Sequence, residues 1–121
     1  YKLMRVSTLI SRELYSDATE ILDQLAGNDE EGYLVSGPLA AEFRWAQAEV
    51  AYSDGDGEEA LSLIDQAIEQ QPDGPKFHLL RGRVLFELGR SEDAKNALDR
   101  AIDLDLEGDV SAEAVKVLDR I

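Results

Sequence analysis

The stretch YSDGDGEEA, residues 52–60, contains the residue types that come closest to a metal site in this chain. A calcium loop of the EF-hand type takes oxygen ligands from alternate positions, and it needs glycine at its sixth position and glutamate at its twelfth. If such a loop began at Asp54, Glu59 would stand sixth and Asp65 twelfth. Neither residue meets the requirement, so we predict no metal site here.

The same stretch fits a turn between two helices. Apolar residues from Ala60 to Ile64 already recur at helical spacing, which predicts that a helix begins near Glu58. Gly55 would end the preceding helix in the left-handed conformation. Asp56 would cap the following helix, and Glu59 three residues later would complete a capping box.

No group of residues in the sequence is typical of an enzyme active site. The chain has a single histidine, His78, and no cysteine, which excludes cysteine nucleophiles, disulfides and thiolate metal sites. Carboxylates occur throughout, without a pair that stands out. The RGR segment at 81–83 lacks the glycine-rich turn of a phosphate loop. We therefore predict a protein that is not an enzyme and that has no catalytic residues and no cofactor.

Length and charge restrict the partners that the chain can bind. With 121 residues it is expected to form one domain, and its 26 acidic and 12 basic residues give a net charge of -14. Such a charge repels nucleic acid and anionic lipid, and no apolar run approaches the ~20 residues that span a membrane. We expect neither nucleic-acid binding nor membrane insertion. Because the first residue is Tyr1, we expect a processed or excised piece. The expected location is the cytoplasm or the periplasm of a bacterium.

An internal repeat organises the middle of the chain. Shifting the sequence by 34 residues places 41–74 on 75–108 without a gap, and nine pairs of residues are then identical. The identical pairs are Phe43/Phe77, Val50/Val84, Gly55/Gly89, Glu58/Glu92, Ala60/Ala94, Asp65/Asp99, Ala67/Ala101, Ile68/Ile102 and Gly74/Gly108. A period of this length indicates a repeat protein built from helix pairs.

The period and these residues resemble the tetratricopeptide repeat family. In each copy a small residue, Ala48 or Gly82, stands midway along the first helix, where two helices approach closely, and Pro72 closes the first copy where the family usually has proline. The resemblance implies an all-α fold, an α-solenoid of about three helix hairpins followed by a C-terminal capping helix.

The remaining segments complete a single domain over residues 1–121. A degenerate copy precedes the clear ones, with Ala18 in the place of Ala60, and the final segment has apolar residues at helical spacing. The expected segments are a degenerate repeat at 1–26, an inter-repeat loop at 27–40, repeats at 41–74 and 75–108, and a capping helix at 109–121.

In the family that this chain resembles, the first helices line a concave groove that holds partner peptides. The candidate groove residues are Glu42, Trp45, Glu49, Tyr52, Lys76, Leu79, Arg83 and Phe86. Arg83 and Lys76 are the expected anchors for a partner carboxylate, and the aromatic residues are expected to hold apolar side chains unless they are packed between helices. The predicted first helices, 1–13, 41–53 and 75–88, hold seven basic and four acidic residues, so we expect a neutral to basic groove in an acidic shell.

These observations favour a scaffold that binds a peptide or protein segment in the groove. Two alternatives stay open at this point. The repeats could self-assemble into a homo-oligomer, or they could position a substrate within a larger enzyme or secretion factor.

Overall fold

The computed structural model describes residues 9–10, 14–27, 40–106 and 108–121 of the chain. Within these residues there are six named α-helices and no strand. They are α1 (Tyr15–Gly27), α2 (Ala40–Ser53), α3 (Gly57–Gln70), α4 (Pro75–Glu87), α5 (Ser91–Leu104) and α6 (Asp109–Leu118). The predicted all-α fold is confirmed. Most of the predicted first helix 1–13 and the interior of the predicted loop 27–40 lie outside the described residues.

The helices lie side by side in space in the same order as in the sequence. Each helix from α1 to α5 packs against the next one, and α4 also contacts α2 on one side and α6 on the other. Contacts of this kind between neighbours make a solenoid, since one hairpin cannot bury its own apolar face. Helices α2, α4 and α6 therefore form one layer, the first helices, and α3 and α5 form the other.

Two glycines end the first helices in the same way. Gly55 has φ 84° and Gly89 has φ 79°, the left-handed region that side chains other than glycine rarely enter. The amide of Gly55 donates to the carbonyl of Tyr52 at 3.1 Å, and that of Gly89 donates to Phe86 at 3.1 Å. The predicted helix-ending role of both glycines is confirmed.

The start of α3 is capped by a side chain. Asp56 Oδ1 accepts a hydrogen bond from the amide of Glu59 at 3.3 Å, which satisfies one of the amides that a helix leaves free at its start. The structure thus shows this half of the predicted capping box. Arg90, which holds the same position before α5, makes no side-chain cap.

Helices α4 and α5 approach each other closely at Gly82. A Cβ atom at this position would lie 2.6 Å from both Cγ and Cδ2 of Leu98, closer than side chains pack. Leu98 is completely buried, and so is Ala48, the residue that matches Gly82 in the first copy. The prediction that small residues mark the helix crossings is confirmed.

The core consists of side chains held between consecutive helices. Its largest completely buried members come from α3, α4 and α5: Ile64, Phe77, Leu80, Val84, Leu85 and Leu98. None of the helices in the described part of the chain combines the length and the apolar character that crossing a bilayer requires.

Candidate partner-binding surface

The first helices carry all eight residues predicted for the groove, four on α2 and four on α4. Trp45, Glu49 and Leu79 are buried, with 7%, 8% and 8% of their surface exposed. The other five are partly exposed: Glu42, Tyr52, Lys76, Arg83 and Phe86. A partner could reach these five side chains directly, and the predicted role of all eight in binding stays a prediction.

At the start of α4, the ammonium group of Lys76 contacts two side chains of α2. Its Nζ lies 2.5 Å from Oε1 of Glu42 on α2, and 4.1 Å from the centre of the Trp45 ring. A cation over an indole face is attracted by the ring quadrupole, so the ring and the carboxylate hold the ammonium together. We name this end of the surface, made by Glu42, Trp45 and Lys76, the closed end.

Near the end of α4, two basic side chains share one carboxylate. Arg83 Nη2 lies 3.2 Å from Oε2 of Glu113 on α6, and Lys116 Nζ lies 3.1 Å from Oε1 of the same residue. The hydrogen bond and the positive charge of Lys116 lower the pKa of Glu113, and Arg83 lowers it further. Glu113 is therefore held ionised between two cations.

A depression of about 120 Å³ opens beside this group. It receives side chains from three successive first helices: Tyr52 from α2, Arg83 and Phe86 from α4, and Glu113 and Lys116 from α6. The turn that follows α6 adds Arg120 to its wall. We name this end of the surface, with its depression, the open end.

The fold has a counterpart among known families. One tetratricopeptide repeat model matches residues 3–75, and a second matches residues 51–116. The chain belongs to the tetratricopeptide repeat family. Repeats of this family generally mediate protein–protein interactions. No curated protein matches the sequence.

Within the tetratricopeptide array, Glu49 lies between the two ends of the surface. Burial raises the pKa of its carboxyl, and the positive charges of Arg83 and Lys76 oppose this effect. The position is occupied by Arg83 in the next copy and by Val117 on α6. One place in the repeat therefore holds an acid, a base and an aliphatic residue in turn.

The charges of the open end shift the pKa of the Tyr52 hydroxyl. Burial raises the pKa of its hydroxyl, and the negative charges of Glu87 and Glu49 raise it further. Arg83 and Arg120 act in the opposite direction. The hydroxyl consequently lies in a field to which both signs of charge contribute.

The other polar groups that the sequence singled out have local structural contacts. Asp56 caps α3, and Nε2 of His78 lies 2.7 Å from the carbonyl oxygen of Pro72. Arg81 donates to Asp65 on α3 at 2.8 Å and does not line the open end. In the part of the chain that the structure describes, no group of three acidic or histidine side chains is placed to hold a metal ion.

Sequence reasoning missed the contribution of α6. Glu113, Lys116 and Arg120 line the open end, but none of them was among the predicted groove residues. The repeat period would have found two of them, because 34 residues after Leu79 is Glu113 and 34 after Phe86 is Arg120. The last helix was treated as a cap, although it takes the place of a first helix.

Proposed function

We propose that this tetratricopeptide array binds a segment of a partner protein along the face formed by α2, α4 and α6. One observation carries the proposal: the depression at the open end is lined by side chains from all three helices. A segment lying across this face contacts three repeats at once. Once the first contact has bound the segment, each further contact forms without an additional loss of translational and rotational entropy.

The size of the depression favours a side chain of a protein over a small metabolite. Sites for small molecules enclose about 300–1,000 Å³. The open end offers about 120 Å³, which is well below this range. It therefore suits one side chain of a segment whose remaining residues lie along the surface.

The residue types on this face also favour protein binding. Tyr52, Arg83 and Phe86 are partly exposed next to one another, and tyrosine and arginine are enriched among residues that dominate binding energy. The exposed positions of α3 and α5 hold mainly acidic and amide side chains, which remain hydrated at low cost.

Selection from a random peptide library displayed on phage, with the whole chain immobilised, tests this function. Synthetic copies of the selected peptides are then titrated against the ¹⁵N-labelled chain by NMR. We expect shifts of the amides of Tyr52, Arg83 and Phe86, whereas the amides of α3 remain in place. Failure to select any peptide, or shifts centred on α3 and α5, would contradict the proposal.

Two arginines on α4 provide a matched pair of variants. Arg83 and Arg81 are two residues apart, are exposed to a similar degree and are each in one ion pair, but only Arg83 lines the open end. We expect Arg83→Ala to weaken a selected peptide about tenfold and Arg81→Ala by less than about twofold. Equal losses in the two variants would place the peptide elsewhere.

Self-assembly is a second candidate, because α6 exposes apolar side chains. Val115 is 45% exposed, and Ile121, just beyond the helix, is 36% exposed. If a second copy covered them, sedimentation would show a larger species at high concentration, and Val115→Ser would remove it. A single monomeric species at every concentration would exclude this candidate.

A further inference from the structure

We propose that the open end recognises a carboxylate side chain, Asp or Glu, within the partner segment. The inference rests on the proposed function and names the residue that fills the depression. The geometry that carries it is an excess of basic side chains: Arg83, Lys116 and Arg120 line the depression together with only two acidic residues, Glu87 and Glu113.

The carboxylates of the described residues neutralise the basic side chains of the open end only in part. Arg83 and Lys116 both donate to Glu113, so these two basic side chains share one carboxylate. Within the described residues no carboxylate lies within ion-pair distance of the Arg120 guanidinium. Arginine offers several donors in a fixed fork, so each guanidinium retains donors for a further acceptor.

The closed end lacks this capacity. There Lys76 has Glu42 at 2.5 Å and the Trp45 ring beneath it, so its charge is already balanced. A partner carboxylate at Lys76 would have to displace Glu42, whereas at the open end it would fill a place that no carboxylate of the described chain occupies. Of the two expected carboxylate anchors, Lys76 and Arg83, these contacts therefore favour Arg83, together with the basic side chains of α6 and the turn after it.

The walls of the depression determine where the carboxylate lies. Tyr52 and Phe86 form its aromatic side and reduce the access of water, which strengthens hydrogen bonds between charged groups. Glu87 on α4 and the ionised Glu113 on α6 both repel a further carboxylate. The favoured position is consequently next to Arg120, which follows α6 and lies seven residues after Glu113.

The overall charge of -14 does not oppose this position at short range. Charges separated by more than about 8 Å are largely screened at physiological salt. The bases that line the depression act within this distance, while most acids of the chain lie on other helices. An acidic residue is therefore repelled by the chain as a whole but attracted once it enters the open end.

Peptides selected from the phage library on the whole chain provide the probes. We expect each selected family to contain an Asp or Glu that cannot be replaced, and replacing it with Asn or Gln should weaken binding about tenfold by calorimetry. The chain variants Lys116→Gln and Arg120→Gln should weaken the acidic peptide by several-fold to tenfold. Glu87→Gln should strengthen its binding.

A double-mutant cycle separates this contact from a general charge effect. The amide version of the peptide should lose little further affinity in Arg120→Gln, because the partner of the arginine is already gone. Lys95→Gln and Arg100→Gln on α5 serve as controls, since they remove the same charges from exposed positions outside the depression. We expect these controls to change affinity by less than about twofold.

Each other outcome contradicts a definite statement. If selected peptides bind the face of α2, α4 and α6 but tolerate loss of every acidic residue, the proposed function stands and the carboxylate inference fails. If amidation of the peptide C-terminus abolishes binding while Glu→Gln does not, the anchor is a terminal carboxylate and the side-chain inference fails. If no peptide is selected, the proposed function fails as well.

Discussion

The two clear repeats, residues 41–74 and 75–108, agree where helices contact each other and differ where they face the candidate surface. Ile64 and Leu98 are both completely buried at the same place in the repeat. On the helices of the candidate surface, the buried Glu49 of the first copy is replaced by the partly exposed Arg83 of the second. The core positions of the two copies are therefore more alike than the positions of the candidate surface.

The agreement extends to the turns. In both copies the residue after the glycine donates its amide to a carbonyl five residues earlier, Asp56 to Ala51 and Arg90 to Leu85, at 2.9 Å in each case. Identical hydrogen bonds at a spacing of 34 residues show that the backbone is repeated even where side chains differ. Substitutions at matched positions therefore test how far the two copies are equivalent.

The largest expected effect comes from the core. Ile64→Ala and Leu98→Ala should each reduce the free energy of unfolding by about 3 kcal/mol, because each removes a completely buried side chain and leaves a cavity. Urea denaturation followed by circular dichroism measures both. Similar losses would support equivalent copies, and a loss below about 1 kcal/mol at either position would contradict the packing described.

A close contact gives the next effect. Gly82→Val should destabilise the protein by about 2 kcal/mol, because a Cβ would lie 2.6 Å from the buried side chain of Leu98. The matched variant is Ala48→Gly at the same place in the first copy, for which about 1 kcal/mol is expected from helix propensity. If Gly82→Val were as stable as the native chain, α4 and α5 could not be as close as described.

The cap distinguishes the two turns more finely. Asp56→Ala should cost about 1 kcal/mol, because the Glu59 amide loses its acceptor. Arg90→Ala at the matched position should cost less than about 0.5 kcal/mol, because Arg90 makes no cap and only an exposed ion pair with Glu58. Equal costs in thermal or urea unfolding would show that the cap contributes nothing.

Glu49 supplies a prediction about pH. Since burial raises the folded-state pKa of this carboxyl, the folded chain binds a proton more tightly than the unfolded chain does. The contribution of Glu49 to stability is therefore best below its unfolded pKa and becomes less favourable as pH rises through the folded pKa. Glu49→Gln, which stays neutral, should gain stability relative to the native chain as pH rises above 4.5, the ordinary pKa of a glutamate.

Parallel urea titrations of the two proteins at several pH values measure this difference, and the other carboxylates cancel between them. The opposite trend would be a loss of stability of Glu49→Gln relative to the native chain as pH rises. It would mean that attraction by Arg83 and Lys76 outweighs the effect of burial on the Glu49 carboxylate. It would then show that the ionised form of Glu49 holds α2 and α4 together.

Features that depend on local chemistry were predictable from the sequence. Gly55 and Gly89 end helices because of their own backbone freedom, and Asp56 caps α3 because its side chain reaches an amide three residues on. The 34-residue period then determined the order of the helices, since a repeat of one unit stacks in only a few ways. None of these required knowledge of distant contacts.

The candidate surface was less predictable, because it depends on how helices rotate against one another. The spacing of Trp45 does not tell whether its ring faces solvent or packs under Lys76, and the structure buries it. The sharing of Glu113 by Arg83 and Lys116 depends on the placement of α6, for which the repeat signal was weakest. The period places Glu113 on the candidate face, but it does not tell which side chains of other helices Glu113 contacts.

The matching hydrogen bonds of the two turns also indicate how repeats could be added to this array. A further copy of residues 41–74, placed between Gly74 and Pro75, would meet α4 through the α3–α4 junction that the chain already contains. Its first helix would meet the original α3 at the position of the repeat that α4 now occupies. Lengthening would then require no new kind of interface, and each added unit would present one more first helix. The number of repeats could therefore change while the packing of helices within each repeat stays the same.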